Sequence, residues 1–319
     1  MKYVGIQTQQ MQNNMRSVVL LFLFPLLVIV LTFVFSFILS FIESMDYERF
    51  DLLGNTLNLT QTLIPVILVG VLIWFTIAYF ANVRIINKAT SAKPLERREN
   101  KRVYNLVENL CMSQGMKMPK VQVIEDDSLN AYASGINNKT YAVTLSRGII
   151  EKLNDDELEA VIAHELSHII NRDVRLLIVS IVFVGIFAMI SEIAIKLVRY
   201  SSFSGGKNKN NGAIILLIAF VVAIIGYFFA SLMRFAISRK REFLADAGSA
   251  EMTRNPLALA EALRKISYDP AIEAVKRNDV AQLFIEHPRE KKKNMFSGLT
   301  GLFATHPPIN KRIEILEQF

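Results

Sequence analysis

Cysteine and histidine are both scarce in this chain of 319 residues, which contains one cysteine and four histidines. Because Cys111 is the only cysteine, an intrachain disulfide is impossible and no metal site can be built from a cysteine cluster. The near absence of cysteine also suits a reducing compartment. The histidines are therefore the residues to examine for metal binding, and two of them, His164 and His168, lie close together in the sequence.

Charged residues account for only 20% of the chain, whereas hydrophobic residues account for 52%. The mean hydropathy of +0.32 is too high for an ordinary soluble protein and indicates a membrane protein. The formal charge is +7, but a nucleic-acid-binding protein would carry a basic stripe without long apolar runs, so that class is excluded. Basic loops beside membrane spans explain the positive charge better.

Four apolar segments account for the hydropathy: residues 17–42, 63–81, 176–191 and 213–233. The first is longer than the apolar core of a signal peptide and no small-residue cleavage site follows it, so we interpret it as an uncleaved span. Lysines and arginines cluster between residues 84 and 102, after the second segment. The positive-inside rule puts this basic run and the N-terminal tail in the cytoplasm and the acidic loop 43–51 outside.

The third and fourth apolar segments predict a second hairpin. The loop between them carries Arg199, Lys207 and Lys209, which the positive-inside rule would not place outside. Partial insertion is therefore the alternative, and we favour a spanning hairpin.

The section between the two hairpins is too polar to lie in a membrane. Residues 99–112 predict a helix and Lys120–Ile124 a short strand. Two further strands, Asn130–Ser134 and Thr140–Leu145, are joined by a turn at Gly135–Lys139, which is a hairpin pattern. We expect a small mixed sheet at this point of the chain.

A helix from Asn154 to about Asp173 follows, with Asn154 as a favourable N-cap and Glu157 at the capping-box position. Within it, His164 and His168 share one face, so both imidazoles can bind one metal ion. Glu165 lies about 100° round the helix, where its carboxylate can reach a water molecule beside the metal. An amphipathic helix with two surface histidines is the alternative interpretation of the HExxH pattern.

A catalytic zinc site needs three protein ligands and one open position. Glu242 is a candidate third ligand, because Asp246 follows it by four residues and shares its helical face. Asp246 could then accept a hydrogen bond from a ligand imidazole and fix its tautomer. Pairing of Glu242 with a neighbouring cation on a solvated face is an equally good interpretation of this spacing alone.

Four motifs occur in order: Asn130–Gly135 (NAYASG), His164–His168 followed by Asn171–Asp173, Glu242–Asp246 (EFLAD) and Thr305–Pro308 (THPP). Together they resemble the HtpX type of membrane-bound zinc metalloprotease, a relative of the CAAX prenyl proteases, over nearly the whole chain. The resemblance implies an α-rich α+β membrane protein with about four transmembrane helices and a cytoplasmic gluzincin-like zinc protease domain containing a small sheet.

The resemblance also implies roles for individual residues. His164, His168 and Glu242 match the ligands of one Zn²⁺ per chain, Glu165 matches the general base, and Asp246 matches the acid that orients a ligand histidine. Further matches are the substrate-binding edge strand at Asn130 and Ala131, and groups near the scissile peptide at His306 and Arg312. For His306 the alternative is a packing residue, and His287 is interpreted as part of a surface loop.

The implied function is zinc-dependent hydrolysis of peptide bonds in misfolded or damaged membrane proteins at the plasma (inner) membrane, as stress quality control. The expected partners are polypeptide substrates, the bilayer and other membrane quality-control proteases, with which it would cooperate; nucleic acid is excluded. A CAAX-type processing peptidase, an intramembrane protease and a non-catalytic scaffold with a structural zinc are the alternatives.

We expect four parts along the chain. Residues 1–83 form the N-terminal transmembrane hairpin and residues 84–173 the first part of the catalytic domain. Residues 174–236 form the second hairpin, and residues 237–319 complete the catalytic domain with the third ligand.

Overall fold

The computed structural model describes residues 6–45, 51–178, 185–187, 239–268, 284–285 and 307–319, together with residues 218, 220–221 and 223–228. The chain folds as two compact units. The first comprises residues 1–16, 81–178 and 234–319, and the second comprises residues 17–80 and 179–233.

Two long apolar helices open the chain, α1 (Ile6–Ser44) and α2 (Leu52–Thr90). Each contains a stretch long and apolar enough to cross a membrane, Phe22–Ser44 in α1 and Leu52–Ala81 in α2. The large apolar side chains of α2 are mainly exposed, among them Val66 and Phe80, and such a surface is favourable against lipid rather than water. The two apolar segments of the predicted first hairpin are therefore helical, and both helices are longer than the segments that predicted them.

The predicted second hairpin, residues 176–191 and 213–233, lies largely outside the described residues. Within the part that the structure describes, residues 176–178, 185–187 and 223–228 are helical. The count of four spans therefore stays a prediction.

A four-stranded mixed sheet follows in the order β1-β2-β4-β3. Its strands are β1 (Lys93–Pro94), β2 (Lys120–Ile124), β3 (Ala131–Ser134) and β4 (Ala142–Ser146). β2 and β4 run parallel, whereas β1 pairs antiparallel with β2 and β3 pairs antiparallel with β4. The predicted sheet and the predicted β3–β4 hairpin are confirmed, and β1 was not predicted.

The turn between β3 and β4 depends on a glycine. Gly135 has φ +100°, and a Cβ at this position would lie 2.4 Å from the carbonyl oxygen of Thr140. A larger residue would therefore open the turn and shift the register of β3, the strand at the edge of the sheet.

Two helices accompany the sheet: α3 (Lys101–Ser113) lies between β1 and β2 in the chain, and α4 (Arg147–Lys152) follows β4. α3 is amphipathic and buries Val103, Val107 and Leu110, with Asn100 as its N-cap. Arg102 joins these parts, since its guanidinium donates to the backbone carbonyls of Ile150 and Leu153 at 2.7 Å each. These hydrogen bonds satisfy carbonyls at the end of α4, where the helix has no partner for them.

α5 (Asp155–Ile170) is the central helix of the first unit and packs against α3, β3 and β4. It begins with the predicted capping box, in which Asn154 Oδ1 accepts from the Glu157 amide and Glu157 Oε2 accepts from the Asn154 amide. Most of its side chains are buried on every face, including His164 and Glu165. The alternative of a helix with two surface histidines is therefore excluded.

α5 ends earlier than predicted. Asn171 is its C-cap, Arg172 takes a left-handed backbone conformation with φ 60°, and residues 173–178 are helical again. The helix predicted to reach about Asp173 therefore ends at Ile170 and is interrupted at Arg172. The break brings His168 and Asp173 within reach of each other. On a straight helix these residues, five apart, would point about 140° away from each other.

Among the described residues after 234, three helices belong to the first unit: α6 (Arg239–Thr253), α7 (Pro256–Tyr268) and α8 (Ile309–Leu316). α6 lies across α5 at close range, since a Cβ on Gly248 would fall 2.2 Å from Ser167 Oγ. Ser249 Oγ donates to the Ala160 carbonyl at 2.6 Å and fixes the same crossing. α7 and α8 pack on each other and on α6, so segments distant in the sequence meet around α5.

Candidate metal centre

Three side chains from α5 and α6 converge on one point. The Nε2 of His164 lies 3.7 Å from Glu242 Oε2, and the Nε2 of His168 lies 3.5 Å from Glu242 Oε1. One potential ligand atom from each of the three residues lies within 4.8 Å of the other two. Glu242 therefore faces the histidines, and the alternative of a solvated ion pair on α6 is excluded.

The spacing can be compared with that of a zinc site. Ligand atoms about 2.0–2.1 Å from a tetrahedral ion lie about 3.3–3.4 Å from one another. The distances from the two histidine Nε2 atoms to the Glu242 oxygens exceed this value by a few tenths of an ångström. Two imidazoles and one carboxylate are also the donor set of a common class of catalytic zinc site, so these residues fit the ion.

His164 is held by Asp246. The Nδ1 of His164 lies 3.0 Å from Asp246 Oδ1, and an N–H at this position leaves Nε2 as the metal-binding atom. Nε2 is buried and makes no hydrogen bond within the described residues. Burial lowers the pKa of His164, and this effect exceeds the opposite effect of Asp246. The neutral imidazole, which is the form that binds metal, is therefore favoured.

His168 is held by Asp173, whose Oδ2 lies 3.1 Å from its Nδ1. Asp173 is in turn approached by Arg241, which donates from Nη1 to the Asp173 carbonyl at 3.3 Å. In the sequence Asp173 is only part of a motif, because its contact with His168 depends on the interruption of the helix at Arg172. The motif that follows HExxH was the only sequence feature that could have identified it.

The charges around the ligands favour a cation. Burial would lower the pKa of His168, but its hydrogen bond to Asp173 and the charges of Glu242, Asp173 and Glu165 raise the pKa to about 9. A proton on His168 thus occupies a site of excess negative charge. A divalent ion bound by the same atoms would gain from the same field.

Glu165 is buried beside the ligands, with 1% of its surface exposed. Burial raises its pKa to about 7; His168 opposes the rise, and Glu242 adds to it. A small cavity is lined by Glu165, His168 and Glu242 together with Ala133 of β3 and Asp173 and Arg241. A carboxylate with a pKa near 7 at the wall of a cavity has the properties of a general base.

Arg312 of α8 lies on the far side of Asp246. Its Nε and Nη2 donate to the two Asp246 oxygens at 2.9 Å and 2.7 Å, and Nη1 lies 3.7 Å from Glu242 Oε2. Burial would raise the pKa of Asp246, but Arg312 and His164 outweigh it and hold the pKa below its usual range. Arg312 is fully buried, and it connects α8 to two of the predicted site residues.

The predicted substrate edge, Asn130 and Ala131, lies at the start of β3. Asn130 is fully buried, and its carbonyl accepts from the Ser146 amide at 3.0 Å. The Ala131 carbonyl accepts from the Ile285 amide at 2.9 Å. Ala133, two residues further along β3, lines the cavity beside Glu165, and no sequence pattern indicates this role. The predicted His306 lies outside the described residues.

The chain was compared with known families and proteins. Residues 97–319 match the sequence profile of Peptidase family M48. A protease HtpX homolog from Bacteroides fragilis is 68% identical over the full length of both chains. A protease HtpX homolog from Listeria monocytogenes is 41% identical, covering 67% of this chain and 72% of that protein.

Among solved structures, the crystal structure of Ste24p from S. mikatae is similar to this chain. It superimposes with a TM-score of 0.47 at 20% sequence identity. The match covers 81% of this chain and 58% of that protein.

Proposed function

The chain belongs to Peptidase family M48, among its HtpX-type proteases, and on that premise we propose that it is a zinc-dependent membrane endopeptidase with its active site on α5 and α6. The observation that carries the proposal is the convergence of His164 and His168 on one helix with Glu242, which lies far from them in the sequence. No simpler structural role requires these three side chains to face one another in a buried position.

In this proposal His164, His168 and Glu242 hold one Zn²⁺. When bound, zinc supplies Lewis-acid activation of water and of the substrate carbonyl. Asp246 and Asp173 each accept from the Nδ1–H of one histidine, so both rings present Nε2 in a fixed orientation. Arg312 holds Asp246 as a carboxylate and thereby acts on the metal ligands through it.

Glu165 is the proposed general base. Its buried carboxylate takes a proton from the attacking water and transfers it to the amine that leaves the cleaved peptide bond. A pKa near 7 allows the same group to accept and then donate the proton near neutral pH. His306 is retained as a proposed donor to the developing oxyanion, on the strength of the THPP motif alone.

The proposed substrates are membrane proteins that are misfolded or damaged, cut in soluble loops on the cytoplasmic side of the plasma (inner) membrane. Three sequence features support this location. The apolar stretches of α1 and α2 can cross a membrane, the basic run between residues 84 and 102 obeys the positive-inside rule, and the apolar segment 176–191 begins soon after His168.

The test compares wild type with Glu165→Gln, both purified with bound zinc. We expect wild type to cleave an unfolded protein such as casein, and Glu165→Gln to lose at least a hundredfold in rate while retaining stoichiometric zinc. Glu159→Gln, on the same helix but outside the site, is the matched control and should keep full activity. Proteolysis by Glu165→Gln at the wild-type rate would remove Glu165 from the mechanism. Zinc-loaded wild type without any proteolysis would instead favour a structural zinc in a scaffold.

A further inference from the structure

β3 is the outermost strand of the sheet as its four strands are ordered. An extended polypeptide can bind at such an edge by adding a strand through main-chain hydrogen bonds. β3 also borders the site, because Ala133 and Glu165 line one cavity. The outward main-chain groups of β3 are therefore the natural place for a substrate to pair.

Two residues of the same chain already pair with this edge. Phe284 lies opposite Tyr132 in an antiparallel bridge, and the Ile285 N–H donates to the Ala131 carbonyl at 2.9 Å. The rings of Phe284 and Tyr132 meet edge to face with centroids 4.7 Å apart. Phe284 and Ile285 are 1% and 2% exposed, so the pairing is a packed contact.

The other main-chain group of Ile285 is engaged as well. Its carbonyl accepts from Arg312 Nη1 at 3.1 Å, while the rest of the guanidinium binds Asp246, the partner of His164. The family resemblance implies that Ala131 belongs to the substrate-binding edge strand and that Arg312 lies near the scissile peptide. Ile285 thus offers an N–H to the first and a carbonyl to the second, as a bound substrate residue would.

We propose that Phe284 and Ile285 form an internal pseudosubstrate strand, which competes with an extended polypeptide for the edge of β3 and must leave before substrate can pair there. This inference rests on the proposed protease function. Two strands cannot pair with the same side of β3, since neighbouring strands lie about 4.8 Å apart. When the internal strand leaves, Ala131 and Arg312 each regain a hydrogen-bonding position that a substrate peptide group can fill.

The direct test removes the N–H that pairs with Ala131. Ile285→Pro lacks this donor, whereas Ile285→Val keeps it and serves as the matched control. With a fluorogenic peptide substrate, we expect Ile285→Pro to lower KM at least threefold with little change in kcat, and Ile285→Val to behave as wild type. An unchanged or higher KM in a folded, zinc-loaded Ile285→Pro protein would overturn the proposal. A wild type that cleaves no peptide would count against the proposed function instead.

A second measurement avoids any change in the internal strand. Amide hydrogen exchange is followed by mass spectrometry in Glu165→Gln, with and without the uncleaved peptide at saturating concentration. We expect the fragment containing Phe284 and Ile285 to exchange at least tenfold faster when the peptide is bound, and the fragment containing β3 to stay protected. Equal or slower exchange at Ile285 with peptide bound would show that the strand is a fixed part of the sheet and would overturn the proposal.

Discussion

At the scale of single residues, Arg312 has an unusual position, because a fully buried guanidinium needs compensating charge. It finds this charge in Asp246, through two hydrogen bonds in fork geometry. The carboxylate passes the effect on to His164, whose Nδ1 it faces. The orientation of His164 on α5 therefore depends, through Asp246, on Arg312 of the C-terminal helix α8.

This network leads to a prediction for Asp246→Asn. The amide removes the negative charge that compensates Arg312 and weakens the hold on His164, so we expect zinc affinity to fall about 10- to 100-fold. The buried guanidinium loses its main counter-charge, which should also lower the free energy of unfolding by about 3–5 kcal/mol. Zinc competition with a chelator and denaturant unfolding measure the two effects, and Glu261→Gln, in an exposed ion pair with Arg264, is the control. An affinity equal to wild type would contradict the proposed positioning role.

The only cysteine gives a second prediction at this scale. Cys111 is 2% exposed, and burial raises the pKa of its thiol to about 11. Because the thiolate is the reactive form, we expect no alkylation by iodoacetamide at pH 8 in the folded protein and complete alkylation in denaturant. Mass spectrometry after a timed reaction distinguishes the two states. Rapid labelling of the native protein would show that the thiol is accessible.

The site residues differ in how far the sequence could predict them. His164, Glu165 and His168 follow from helical spacing within one element, and Glu242 with Asp246 follows from the same rule on another. Helical spacing alone does not show that His164 and His168 face Glu242 and Asp246. This arrangement follows only from the family resemblance or from the structure. Asp173 and Ile285 could not be predicted, because the first depends on a left-handed residue at Arg172 and the second on a bridge too short to show any periodicity.

At the scale of elements, the crossing of α5 and α6 sets the distance between the histidines and Glu242. Gly248 allows this crossing, since a Cβ there would lie 2.2 Å from Ser167 Oγ and 3.0 Å from Ser167 Cβ. The histidines and Ser167 share α5, while Gly248 and Glu242 share α6. Separation of the two helices therefore changes the metal site directly.

We predict that Gly248→Ala forces α5 and α6 apart and weakens zinc binding at least tenfold. The matched double variant Gly248→Ala with Ser167→Gly removes the opposing atoms and should recover most of the affinity, because the two changes are coupled through one contact. Zinc titration of the two single variants and the double variant measures this coupling. Additive losses in the double variant would show that the close approach does not control the metal site.

Elements with strong periodicity or turn patterns were predicted well. The strand Lys120–Ile124 and the β3–β4 hairpin follow from alternation and from the Gly135 turn. β1 escaped prediction because two residues carry no alternation. The end of α5 was misplaced because neither proline nor glycine marks it, and Asn171 with Arg172 terminates the helix through backbone conformation instead.

At the scale of the whole molecule, folding stability and metal binding are linked through His168. In the metal-free protein its pKa is raised to about 9, above the ordinary value of about 6.5 for an unfolded chain. Protonated His168 therefore stabilises the metal-free fold fully below pH 6.5, and this contribution is lost as pH rises through about 9. In the proposed site zinc displaces the same proton, so its binding has the opposite dependence on pH.

The last prediction follows from this opposition. Between about pH 6.5 and 9, the apparent affinity for zinc should rise about tenfold per pH unit, since one proton leaves His168 for each ion bound. Over the same range the Tm of the metal-free protein should fall. The difference in Tm between the zinc-loaded and the metal-free protein should increase, because a ligand stabilises the folded state more when its affinity is higher. Calorimetry of both forms across this range, in one detergent and at one ionic strength, measures the two slopes. A His168→Gln variant, which can hold no proton there, should lose the pH dependence of the metal-free Tm. Parallel curves for the metal-free and zinc-loaded wild type would mean that the proton and the metal do not share this site.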